Sequence, residues 1–403
     1  MRLIRKPTTR LGTIAIDSAL IAASLTAALL VCETGLALFH PSKVVARPFF
    51  HIQSFFCQYD PVFGWRNKPG YDDIVRIDAN TSFHVRHNAN GFRDDDHPYE
   101  KAAGKTRVLA LGDSFAWGFG VEERDMFSTI IEQEHPGIEV INMGVSGYGT
   151  DQEFLLYNEE GHKYNPDLVV LAFYANDYNE IATSLSYGYP KPCATLDDGG
   201  LTFWNVPVPR TAETERKMYG NPTTLFGRLK KFLRRHTHTY PFIAGRLNSV
   251  PALRRFIVAS GLGDEYGRGL QNMEMMQHRD EKTINALLER LLSDLKKETG
   301  KRGTAFLLVN IPVKENGANG RVTYSSTLPD AVKQNDEIGA ALGAIRRRTG
   351  IDYIDLLEPV RARQAEGVRC YNSSPMDIHF NREGHLLLAR AITDRLQQRP
   401  KSQ

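Results

Sequence analysis

The chain has 403 residues, 41% hydrophobic and 24% charged, with a formal net charge of +3. That balance supports a large buried core and excludes both a disordered chain and a polytopic membrane protein. So small a charge gives no case for a nucleic-acid partner, and neither zinc-knuckle spacing nor an aromatic-basic platform accompanies it.

The N-terminus carries a distinct signal. Arg2, Arg5, Lys6 and Arg10 precede an apolar run from about Leu11 to Phe39 that is broken by charge only at Asp17 and Glu33. As a helix, the stretch from Ser18 to Phe39 is long enough to cross a hydrocarbon core of roughly 30 Å. With the basic residues before the run, the positive-inside rule keeps the N-terminus cytoplasmic and sends everything after Phe39 outward. The expectation is a single-pass anchor in the inner membrane with a periplasmic main domain. A cleaved signal peptide and a lipoprotein site at Cys32 are the competing readings, and all three export the main domain. Outside the cytoplasm, disulfides are permitted among Cys57, Cys193 and Cys370, although their spacing sets no pairing.

Residues 41–104 form a strand-rich lead-in after the anchor (1–40). Aromatics such as Phe63 and Trp65 are interleaved with turn formers, and Asp72 to Arg86 alternates as a strand does. From residue 105 to about 400 short apolar runs alternate with helical stretches. Strands are expected at Arg107–Leu111, Glu139–Asn142, Asp167–Phe173, Thr304–Val309 and Ile351–Ile354. Helices are expected at about Met126–Glu134, Asp151–Glu160, Glu281–Glu298, Asp330–Arg348 and Arg382–Gln397. This alternation predicts an α/β fold, a flavodoxin-like three-layer sandwich around a five-stranded parallel sheet. Residues 185–275 interrupt it as a helical insertion. There Leu225, Phe226, Leu229, Phe232 and Leu233 share one helical face opposite a basic one, as a lid or a membrane-surface helix would.

In parallel sheets ligands bind beyond the carboxyl ends of the strands, and four loops at that edge carry chemistry. Gly112-Asp113-Ser114 follows the first strand and presents a hydroxyl on a tight turn whose N–H groups can bind an oxyanion. The second loop, Asn142 to Gly149, is glycine-rich without the spacing of a phosphate loop. Asn176 in Ala175-Asn176-Asp177 offers an amide donor or a helix cap. Asp377-Ile378-His379 supplies a candidate general base with a carboxylate two residues away. His385, in the last helix, reads as structural.

In this order the loops resemble the blocks of the SGNH (GDSL) hydrolase family over roughly residues 105–182 and 301–397. The resemblance assigns Ser114 as nucleophile, His379 as base and Asp377 as orienting acid, with Asp377 one residue closer to the histidine than in the commonest form. It assigns the oxyanion hole to the backbone of Ser114, to Gly147 and to Asn176, with Ala175 where the family's commoner form has glycine. It implies no cofactor and no metal. The lead-in motifs Gly64-Trp65-Arg66 and Asn90-Gly91-Phe92-Arg93 resemble exported members linked to bacterial polysaccharide modification. The implied partners are an acylated carbohydrate or other ester substrate, the membrane, and proteins of polysaccharide biosynthesis. The implied activity is ester hydrolysis through an acyl-serine. O-acyl transfer to a polysaccharide and non-catalytic polysaccharide binding are the alternatives, and a metal-dependent hydrolase built on Asp377, His379 and His385 is a further one.

Overall fold

The computed structural model describes residues 10–39, 56–76, 82–181, 183–186, 189–197, 200–210, 280–315, 331–373 and 377–399, together with positions 232, 233, 237, 239, 240 and 243. The chain divides into two compact units, Met1–Arg47 with Asn221–Gly263, and Pro48–Gly220 with Asp264–Gln403.

The first unit is dominated by helix α1 (Arg10–Phe39). Its segment Ile16–Leu36 is 21 residues long with a mean hydropathy of 1.8, and meets the length and composition of a membrane span or a signal sequence. Glu33, an acid within this run, has a partner. Its carboxylate accepts hydrogen bonds from the N–H and hydroxyl of Thr239 at 2.9 and 2.7 Å.

The second unit holds the sheet. Strands β1 (Cys57–Asp60) and β2 (Gly64–Asn67) pair antiparallel, as do β3 (Asp72–Arg76) and β4 (Ser82–Arg86). The alternating stretch from Asp72 to Arg86 is therefore two strands in register, Asp72 opposite Arg86. The main sheet comprises β5 (Thr106–Gly112), β6 (Ile138–Asn142), β7 (Leu168–Phe173), β12 (Ala305–Asn310) and β13 (Asp352–Asp355). All four pairings are parallel, in the spatial order β13-β12-β7-β5-β6. Numbered within the sheet this is 2-1-3-4-5, the flavodoxin order, whose direction reverses between β5 and β7. Every residue of β7, Leu-Val-Val-Leu-Ala-Phe, is buried, as a strand covered on both faces requires.

Helices cover both faces. On one lie α3 (Phe127–Glu134) and α9 (Arg382–Gln397), which pack together; on the other lie α4 (Thr150–Glu159), α6 (Glu281–Gly300) and α7 (Ala331–Thr349). Helix α6 shows why these sequences form helices that dock. Asp280 caps it by accepting from the Lys282 N–H, and Ile284, Leu287, Leu288, Leu291, Leu292 and Leu295 bury one stripe. Three short helices complete the fold: α2 (Ser114–Trp117), α5 (Ala175–Glu180) and α8 (Leu357–Ala365).

The insertion contains two small hairpins, β8 (Leu185–Ser186) with β9 (Tyr189–Pro190) and β10 (Cys193–Asp197) with β11 (Gly200–Trp204), and its described positions 232, 233, 239, 240 and 243 are helical. Of the expected amphipathic helix, Leu225, Phe226 and Leu229 lie outside the described residues. The four cysteines are free thiols, with Cys57, Cys193 and Cys370 buried.

Candidate active site

Strand β5 ends at Gly112, where the chain turns sharply with φ +150° and a Cβ would lie 2.9 Å from the Ala172 carbonyl oxygen of the neighbouring strand. Only glycine fits that approach. Asp113 then caps α2, its carboxylate accepting from the Phe115 N–H at 2.8 Å. Ser114 is the first residue of this helix, at the point where the strand order reverses, and is 7% exposed.

The histidine arrives from the far end of the chain. His379 Nε2 lies 2.7 Å from Ser114 Oγ, and His379 Nδ1 lies 2.7 Å from Asp377 Oδ1. Both Asp377 and His379 are buried. Asp377 and His379 lie in a loop and not on a strand, so strand alternation is not what joins them. Asp377 Oδ1 also accepts the His379 backbone N–H at 3.0 Å, an Asx-type turn that loops the carboxylate back onto its own chain. The close Asp-x-His spacing suits that turn.

Gly147 follows β6 at φ +81°, a left-handed conformation that disfavours any side chain. Among the described residues, neither the Ser114 nor the Gly147 backbone N–H has an acceptor. Asn176 lies on the first turn of α5, with its amide 3.5 Å from the Tyr148 carbonyl and against the Asp113 carboxyl. The structure thus brings Ser114, Asp377 and His379 into one hydrogen-bonded series and gathers Gly147 and Asn176 at the same edge of the sheet.

The surroundings are aromatic and acidic. The His379 ring lies between Phe119, at 4.5 Å between centroids, and Phe115, at 4.9 Å. Asp113 in the turn after β5, Asp151 and Glu153 on α4, and Asp177 and Glu180 on α5 are all buried. Lys191 ion-pairs with Asp151 at 2.5 Å. So many carboxyls out of water cannot all ionise around one lysine. Burial raises Asp113 to about 6 and Glu180 to about 8, and holds Glu153 and Asp177 well above the usual carboxylate range.

His385 belongs elsewhere. Its Nδ1 accepts the Phe127 N–H at 3.3 Å, it stacks on the Phe127 ring, and burial lowers it to about 3, which keeps it neutral. Its nitrogen is thus committed to helix α3 rather than to a shared ligand set with Asp377 and His379. Two contributors escaped the sequence reading. Asn372 Nδ2 donates to Asp377 Oδ2 at 2.9 Å, and Lys314 Nζ donates to the Asn372 and Asp377 carbonyls at 2.9 and 3.0 Å. Neither sits in a recognisable spacing; only their positions after β12 and before His379 hinted at the sheet edge.

A hydroxyl, an imidazole and a buried carboxylate in hydrogen-bonded series, at the switch point of a 2-1-3-4-5 sheet, define a serine esterase. The GDSL-like lipase/acylhydrolase family model matches residues 110–387, most of the chain, and the protein belongs to that family. No curated protein sequence matches the chain. Among solved structures it is similar to the psychrotrophic esterase EstA from Pseudoalteromonas sp., at 11% identity and TM-score 0.35, covering 73% of this chain and 98% of that one. A catalytic mutant of an acetylxylan esterase from Geobacillus stearothermophilus matches at 14% identity and TM-score 0.38, covering 75% and 100%. A GDSL-like lipase from Bacteroides thetaiotaomicron matches at 10% identity and TM-score 0.33, covering 74% and 91%.

Proposed function

We propose that the protein removes acyl groups, acetyl above all, from a carbohydrate through an acyl-serine intermediate, with Ser114 as nucleophile, His379 as general base and Asp377 as orienting acid. The observation that carries the reading is the 2.7 Å contact between Ser114 Oγ and His379 Nε2. In the first step Ser114 Oγ attacks the ester carbonyl as His379 Nε2 takes its proton, and Asp377 holds the imidazole through Nδ1. The oxyanion is held by the N–H groups of Ser114 and Gly147 and the side-chain amide of Asn176. As the tetrahedral intermediate collapses, His379 returns the proton to the departing alcohol oxygen. Water, deprotonated by the same imidazole, then releases the acid and frees Ser114.

The carbohydrate part rests on the likeness of the lead-in motifs to exported polysaccharide-modifying proteins. The membrane part rests on the basic residues ahead of the apolar span of α1; together they support an inner-membrane anchor with the catalytic unit in the periplasm. A second reading, transfer of the acyl group to a sugar hydroxyl, draws support from the burial of Ser114 and His379, because a site that excludes water favours a bound acceptor. Proteins of polysaccharide biosynthesis would be its partners.

The test is turnover of p-nitrophenyl acetate by wild type and Ser114→Ala, with mass spectrometry of the acyl adduct on Ser114 and its release to water or to an added oligosaccharide. Loss of turnover in a folded variant supports the reading. Retained turnover removes Ser114 from it, and an unreactive serine in a chain that still retains polysaccharide would make this a binding protein.

A further inference from the structure

Arg93 lies in the lead-in, ahead of the segment that the family model matches. It is 1% exposed, yet among the described residues no carboxylate forms an ion pair with it. Its guanidinium donates instead to main-chain carbonyls: His84 and Val121 at 2.7 Å each, Trp117 at 3.3 Å, and Gly118. Its flat face rests on the rings of Trp117 and Phe83, 4.9 and 5.2 Å from their centroids. Burial lowers it to about 10, so it remains a cation at neutral pH. Taking a guanidinium out of water to satisfy carbonyls is costly, and three of the four carbonyls belong to one short loop.

That loop, Trp117 to Val121, is the continuation of the nucleophile helix. Gly118 closes α2 in the left-handed conformation, and the Phe119 N–H returns to the Ser114 carbonyl at 2.9 Å. The carbonyls of Trp117 and Gly118 are left facing outward, as helix ends leave them, and Arg93 receives them. What the loop presents on its other side is the wall of the site: Phe119 lies 4.5 Å from the His379 ring. Gly120 passes so close to the acid that a Cβ there would lie 3.0 Å from Asp377 Oδ2.

We propose that Arg93 is a positioning residue for the His379 imidazole, acting from outside the segment that the family model matches by fixing the Trp117–Val121 loop so that Phe119 holds the ring in line with Ser114. The inference rests on the esterase reading above. It makes the lead-in part of the catalytic apparatus rather than a spacer between membrane and enzyme.

The experiment measures p-nitrophenyl acetate hydrolysis by the full chain, with active serines counted by a fluorophosphonate, for Arg93→Lys, Phe119→Leu and the double variant. Arg93→Lys keeps the charge but cannot span carbonyls that diverge. Its kcat per titrated serine should fall about 10–100-fold with KM within about twofold, as a small misplacement of a reacting group produces. Phe119→Leu should do the same, and the double variant should lose no more than the worse single one. Wild-type kcat per titrated serine in Arg93→Lys, or losses that multiply in the double variant, would overturn the proposal. If Arg93→Lys does not fold, Phe119→Leu decides alone: lowered kcat at unchanged KM supports it, and unchanged kcat refutes it. Failure of the esterase reading itself is seen separately, as turnover that survives Ser114→Ala.

Discussion

Asp377 Oδ1 accepts two hydrogen bonds from His379, one from the imidazole Nδ1 at 2.7 Å and one from its backbone N–H at 3.0 Å. The carboxylate therefore fixes both the ring and the peptide that carries it. Its second oxygen takes the Asn372 amide at 2.9 Å.

This makes Asp377→Asn a sharp probe. An amide there can present an N–H to Nδ1 and stabilise the wrong tautomer, so kcat for a small acetyl ester should drop about 10³–10⁴-fold with the fold intact. Asn372→Ala, which removes one bond to the charged oxygen, should cost about 10–100-fold. Near-wild-type kcat in Asp377→Asn would mean that the acid does not orient the base.

Asn176 should matter only once charge develops on the substrate oxygen. Asn176→Ala should lower kcat by about 10²–10³, or 2.7–4 kcal/mol, with KM nearly unchanged. A rise in KM at constant kcat would show instead that the amide binds ground-state substrate.

The acid cluster predicts an alkaline weakness. Glu180 is raised to about 8 by burial, against an ordinary value of 4.5. A folded value above the unfolded one means that its stabilising contribution is complete below about pH 4.5 and is lost as pH climbs through 8. Glu180→Gln does not titrate, so its stability relative to wild type should improve from pH 5 to pH 8 by on the order of 3 kcal/mol. Urea unfolding at several pH values reads this difference, and parallel curves would exclude it.

His97 offers a second window. Burial opposes its charge, but its contacts with Asp94, at 3.3 Å, and Glu139, at 3.0 Å, prevail and raise it to about 9. Its contribution should be complete below pH 6.5 and vanish as pH rises through 9. His97→Asn should therefore destabilise the protein more at pH 6 than at pH 10 in thermal melts; equal losses at both would refute this.

The five core strands could be read within a residue or two because each is a short apolar run that a buried parallel strand demands, as in Leu168–Phe173. Helix Arg382–Gln397 matches its expected bounds, since Asn381 caps it and its buried residues recur at helical spacing. The site loops were legible for a related reason: topology forces residues that follow parallel strands to one edge. The rest depends on long-range contacts that leave no local pattern. Nothing near Asn372 or Lys314 announces that they brace Asp377. The strand break in Asp72–Arg86 was hidden because alternation reads alike on both arms of a hairpin. Arg93 stood in a motif the sequence did flag, but its contacts are to carbonyls, which every residue has.

Ser114 and His379 are separated by 265 positions in the chain. A nascent polypeptide leaving the ribosome N-terminus first will expose its hydroxyl long before the imidazole has been synthesised. Such distant pairings form late and slowly. With the roles proposed for Ser114 and His379, the enzyme would stay inert until the C-terminal segment docks, and a chain terminated before residue 379 would lack catalytic power.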